Sequence, residues 1–118
     1  MDSWFSSNRT DVTAVERSAE EQQKIDMETA DLALYHYDSC MYCARVRKAI
    51  SRLNLKIELR DVMREAKHRR DLEQCGGSTT VPCLRIGLGE NGKWMYESAD
   101  IIAYLAKRFG EGKGATVG

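Results

Sequence analysis

The chain has 118 residues, 42% of them apolar and 31% charged, with 18 basic side chains set against 18 acidic ones. That length holds one small domain around a single core, and the balanced charge provides no field that would draw nucleic acid. No apolar run approaches the roughly 20 residues of a membrane span, and no basic patch leading into an apolar stretch opens the chain, so a non-secreted, cytoplasmic protein is expected.

In chain order, residues 1–10 are polar apart from Trp4 and Phe5 and read as a mobile arm. Residues 12–29 turn helical and acidic, with Val12, Val15, Ala19 and Ile25 as a thin apolar stripe. Such a helix is expected to pack weakly or to serve a partner. A strand is expected over 32–37 and a helix over 41–53, its stripe made by Val46, Ile50 and Leu53. A second strand follows over 56–62, where Ile57 and Leu59 alternate with Glu58 and Arg60. A polar helix over 66–74 ends at Gly76-Gly77, a C-terminal signal. Strands over 83–88 and 93–96 form a hairpin through Gly89-Glu90-Asn91-Gly92. Ser98 is expected to cap the last helix, whose stripe is Ile101, Ile102, Leu105 and Phe109. The reading divides the chain into an arm with an acidic helix (1–30), a globular unit (31–110) and a flexible tail (111–118). The order β-α-β-α-β-β-α predicts an α/β domain with a mixed sheet of four strands, the first two parallel across a right-handed crossover, and helices on both faces.

Cys40-Met41-Tyr42-Cys43 stands at the junction of the first strand and its helix. The first sulfur there lies over unpaired N–H groups at the positive end of a helix dipole, a setting that favours the attacking thiolate. Cys43 shares a face with Val46 and Ile50 and reads as a partly buried resolving thiol, whereas Cys40 is expected to stand exposed as the nucleophile. Arg45, Arg47, Lys48 and Arg52 point outward in this reading and would attract an anionic thiol substrate. A zinc knuckle is the alternative, but Cys75, Cys83, His36 and His68 offer no matching spacing, so no metal site is assigned. Pro82 is the second signal. In Thr80-Val81-Pro82 it precedes a strand, and a cis bond there would let the Val81 backbone pair with a peptide-like ligand.

These segments, Leu34-Tyr35-His36-Tyr37-Asp38-Ser39-Cys40-Met41-Tyr42-Cys43 with Thr80-Val81-Pro82 and the order of elements, resemble the glutaredoxins of the thioredoxin superfamily. The resemblance implies a thioredoxin-like fold with an N-terminal helical extension. It also implies Cys40 as nucleophile and a glutathione site on Tyr42, Thr80, Val81 and Pro82. Tyr96-Glu97-Ser98-Ala99-Asp100 is similar to the N-terminal domain of glutathione transferases, where the Glu-Ser pair meets the γ-glutamyl end of glutathione. A helix N-terminus with an adjacent carboxylate suits that zwitterion.

Two departures from the glutaredoxin pattern stand out. Met41 replaces the proline common after the first cysteine, which adds an N–H donor and keeps open a [2Fe-2S] cluster bridging two subunits. Tyr37 occupies the place of a lysine that often holds the glycine carboxylate, leaving Arg69 or Arg70 to substitute. Cys83 reads as a small core residue and Cys75 as an indifferent surface thiol. The expected function is a glutathione-dependent thiol–disulfide oxidoreductase acting on glutathionylated or disulfide-bonded proteins, as a monomer. An iron–sulfur carrier, a glutathione transferase and a pure interaction module are the rivals. A chain ending soon after Phe109 would leave a transferase without its helical domain.

Overall fold

A computed structural model describes residues 14–110. The arm expected over 1–10 and the tail over 111–118 lie outside the described residues.

The elements run α1 (Ala19–Thr29), β1 (Leu32–His36), α2 (Met41–Arg52), β2 (Glu58–Asp61), α3 (Ala66–Asp71), β3 (Cys83–Ile86), β4 (Lys93–Met95) and α4 (Ser98–Phe109). The sheet order is β2-β1-β3-β4. β1 pairs parallel with β2 and antiparallel with β3, which pairs antiparallel with β4. This is the expected βαβαββα sheet with a helix added in front.

The central strand β1 is buried along its whole length, which explains its unbroken apolar run. On one face Leu32, Leu34 and Leu84 meet Val46 and Ile50 of α2 and Ile101, Leu105 and Phe109 of α4. On the other, Ala33, Tyr35 and Cys83 meet Leu72, with Val81, Trp94 and Tyr96 packed around them. α2 ends where Asn54 takes the left-handed conformation at φ 55°, a conformation asparagine tolerates.

Four expectations on the fold are corrected. α1 begins at Ala19, with residues 14–18 ahead of it not helical, because Ser18 and Glu21 form a reciprocal capping box that sets its start; Val12 of the expected stripe lies outside the described residues. Nor does α1 pack weakly. Ile25 enters the main core, Gln22 donates to the Asn54 carbonyl at 3.0 Å, and Arg17 donates to the Phe109 carbonyl at 2.7 Å. The helix therefore closes the end of the core where α2 and α4 finish. In β2 the anticipated alternation fails at the edge of the sheet. Leu59 is 46% exposed beside a groove under α2, while the Arg60 side chain is only 15% exposed and donates to the Tyr35 hydroxyl at 2.7 Å. An edge strand has only one covered flank, so its pattern is a weak guide to burial. Finally, the helix expected over 66–74 is α-helical only to Asp71, and Leu72–Gly76 form a π turn. That turn stops at Gly77, whose φ of 85° suits glycine.

Candidate functional site

The strand register gathers the sequence-predicted residues at one end of the sheet. Cys83 pairs with Tyr35, so Val81 and Pro82 lie beyond it, beside the segment that leaves β1 for Cys40. β4 runs back along β3 with Met95 opposite Leu84, which carries Glu97 and Ser98 to the same end. Tyr37 and Val81 line one cleft of about 180 Å³ with Val62, Met63, Arg69, Leu72 and Thr79. The Val81–Pro82 bond is cis.

Cys40 is the N-cap of α2, and the Cys43 amide donates to its sulfur at 3.1 Å. A sulfur in that position replaces the oxygen of an ordinary N-cap residue and sits at the positive end of the helix dipole. The expectation that Cys40 stands exposed is corrected, since the residue is only 8% exposed. As the cap it turns its sulfur back over the first turn rather than out to solvent. The neighbours supply the exposed surface: Met41 is 69% and Tyr42 57% exposed, with the Arg45 guanidinium 5.2 Å from the Tyr42 ring centre.

Cys43 is fully buried, and burial pushes its thiol up to about 12, helped by its hydrogen bond to Cys40. It stays protonated at neutral pH, in the state of a reserve thiol rather than an attacking one. Cys83 is likewise buried and pushed up to about 12 by desolvation, as befits a core residue. Cys75 is exposed.

The start of α4 differs from expectation. Ser98 is the first helical residue, and Glu97 holds the cap position at φ 74° and ψ 109° without a side-chain cap bond. A non-glycine residue held there costs on the order of 1–3 kcal/mol, and such strain gathers at ligand clamps. Glu97 is exposed and Ser98 half-buried, so both polar groups can be reached from the sheet end.

Two residues support the site through contacts that the sequence did not indicate. Tyr96 donates from its hydroxyl to the Gly76 carbonyl at 2.8 Å, and burial followed by the nearby Cys83 pushes that hydroxyl up to about 12. A Cβ on Gly76 would come within 2.7 Å of this hydroxyl and 2.8 Å of Trp94, so only glycine allows the approach. Arg47, expected to point outward, instead reaches back from α2. It lies 2.9 Å from His36 Nδ1 and donates to the carbonyls of Tyr37 and Asp38 at 3.3 and 3.1 Å. Its spacing along α2 was visible; its direction was not.

His36 is buried, and desolvation lowers its pKa, with the Arg47 charge acting in the same direction and Asp61 and Asp38 opposing. A base depressed in the folded state binds its proton more readily in the unfolded chain. Its contribution to stability is therefore present above the ordinary value of 6.5 and is lost as pH falls below it. Chemical denaturation at pH 7.5 and pH 5.5 is expected to show that loss, and His36→Gln, which keeps an acceptor but does not titrate, is expected to reduce it.

Among the described residues no group of three or more His, Cys, Asp or Glu side chains is placed to hold a metal ion, and no helix is long and apolar enough to cross a membrane.

Comparison with known proteins decides the family. The model for the glutathione S-transferase N-terminal domain matches residues 34–113. The chain belongs to that family. Among solved structures, an epsilon-class glutathione S-transferase from the housefly Musca domestica is 28% identical with a TM-score of 0.54, over 67% of this chain and 35% of that one. A glutathione transferase homologue from Drosophila mojavensis, solved with bound glutathione, is 23% identical with a TM-score of 0.55, over 68% of this chain and 36% of its own. Wheat glutaredoxin is 21% identical with a TM-score of 0.50, over 78% of this chain and 87% of its own. The last two likenesses establish the thioredoxin-like fold. The chain thus spans about a third of the length of these transferases. No curated protein matches.

Proposed function

We propose that this protein binds glutathione at the sheet end and uses Cys40 for glutathione-dependent thiol–disulfide exchange. The observation that carries the reading is the Cys40 sulfur capping α2 while accepting the Cys43 amide at 3.1 Å. That bond strengthens as the sulfur gains negative charge, so it stabilises the nucleophile and the leaving group alike. The bound tripeptide would run along Tyr42, Thr80, Val81 and Pro82, with its γ-glutamyl end at Glu97 and Ser98. Its glycine carboxylate would meet Arg69, which lines the cleft with Tyr37 and Val81 where Arg70 does not.

In the forward step the Cys40 thiolate attacks the glutathione sulfur of a protein–glutathione mixed disulfide. A new Cys40–glutathione disulfide forms and the target leaves as its thiolate. A second glutathione thiolate then attacks the glutathione sulfur, releasing glutathione disulfide and restoring Cys40. In the dithiol route Cys40 first forms a mixed disulfide with the target; Cys43 then attacks the Cys40 sulfur, the Cys40–Cys43 disulfide closes, and the target leaves as a thiolate that takes up the proton Cys43 gives up.

A glutathione transferase reading has its own support in the match over residues 34–113 and in the strained Glu97 at φ 74° beside Ser98. In that reading Cys40 or a bound glutathione thiolate meets an electrophile. A cluster bridging two copies is the third reading, and it rests only on Met41 standing where a proline is common.

One set of assays separates these readings. Reduction of a glutathionylated peptide by glutathione, coupled to glutathione reductase, is expected to proceed catalytically, with little conjugation of a chromogenic electrophile. Conjugation without reduction would favour the transferase reading, and a visible absorption band from anaerobically purified protein would favour the cluster.

A further inference from the structure

Arg47 sits roughly two turns along α2 from Cys40, yet its guanidinium spends its donors on the segment ahead of that cysteine. One Nη lies 2.9 Å from His36 Nδ1 and donates to the Tyr37 carbonyl at 3.3 Å, while the other donates to the Asp38 carbonyl at 3.1 Å. Three successive residues are held by one side chain. The Tyr37 carbonyl also accepts the Cys40 amide at 3.2 Å, so the turn that presents the sulfur is fixed to the same oxygen Arg47 grips.

We propose that Arg47 is a positioning residue for Cys40, holding the 36–38 segment so that the sulfur stays on the α2 N-terminus. This rests on the reading of Cys40 as the nucleophile. The chemistry asks for a planar fork: two carbonyls and a ring nitrogen lie at different directions from one side chain, and an ammonium cannot span them all. Because His36 is buried and its Nδ1 faces a guanidinium that can only donate, the imidazole accepts at Nδ1 and carries its proton at Nε2. Arg64 braces the same segment from outside by pairing with Asp38 at 2.8 Å and Asp61 at 3.5 Å, but it is largely exposed and contributes little by itself. The load therefore falls on Arg47. Misplacement of an attacking group by about 1 Å can cost on the order of 100-fold in rate, so loss of the brace is read at Cys40 itself.

The test uses the full chain and iodoacetamide as probe. Fragment mass spectrometry follows alkylation of Cys40 and of exposed Cys75 in the same sample at pH 7. Arg47→Ala is expected to slow Cys40 roughly 10-fold relative to Cys75, and Arg47→Lys, which keeps the charge without the fork, is expected to stay at least about 5-fold slow. Lys107→Ala removes an exposed cation from α4 and is expected to leave the ratio unchanged. If Arg47→Ala fails to fold, Arg47→Lys carries the comparison. A parental ratio in both Arg47 variants overturns the inference, as does full recovery in Arg47→Lys, which would make charge alone responsible. A parent in which Cys40 reacts no faster than Cys75 overturns the nucleophile reading instead, and the inference with it.

Discussion

Cys40→Ser is expected to abolish glutathione-dependent reduction, with a loss of roughly 10³-fold or more in turnover. A serine hydroxyl can still cap α2 and accept the Cys43 amide, so the variant should fold and melt close to the parent. The change isolates chemistry from structure. Cys43→Ser is the companion: its thiol is buried and pushed up to about 12, so it takes no part in the first attack. Release of a glutathionylated target should persist in Cys43→Ser, while reduction of a disulfide within one target should fall. Progress curves with the two substrate types provide the measurement, and a Cys40→Ser protein that still turns over would end the assignment.

Ile25→Ala is expected to cost about 2–5 kcal/mol, enough to lower the melting temperature of a domain this size by about 10 °C or more. Ile25 is 2% exposed and packs in the same cluster as Phe109, Leu55 and Leu105. It is flanked by links that bind α1 to distant parts of the chain: Lys56 with Asp26 at 3.2 Å, and Arg108 with Glu28 at 3.5 Å. Those pairs are partly or largely exposed and contribute little alone, so the apolar contact should dominate. Thermal unfolding followed by circular dichroism checks it. A shift of only a degree or two would mean that α1 lies on the domain without being part of it.

Much of the fold was legible because its signals are local. The apolar run of β1, the glycine pair after α3, the turn between β3 and β4, and the stripe of α4 each declare an element within a few residues. Cys40 through Cys43 and Thr80 through Pro82 were legible for the same reason, and the strand register explains why they share an end. What escaped was set by contacts far apart in the chain. Arg17 reaches Phe109, and nothing near residue 17 announces that the helix after it completes a core. Leu59 and Arg60 exchanged roles because β2 is an outer strand, and Arg60 found Tyr35 under α3. Arg47 looked like one more solvated cation until the segment it grips was in place. The capping box at Ser18 and Glu21 was readable and marks the start of α1 better than composition does.

The hydroxyl of Tyr96 on the Gly76 carbonyl has a consequence for recognition. Tyr96 leads directly into Glu97, and Gly76 begins the stretch that ends at Val81, so this strut joins the loop proposed to pair with the tripeptide's backbone to the one proposed to hold its γ-glutamyl end. Loops fastened to one another before a guest arrives lose little freedom when it does. Affinity in such a cradle resides in preorganisation, and cutting the strut with a phenylalanine would weaken capture mainly by adding an entropic toll, with every direct contact to the guest still available.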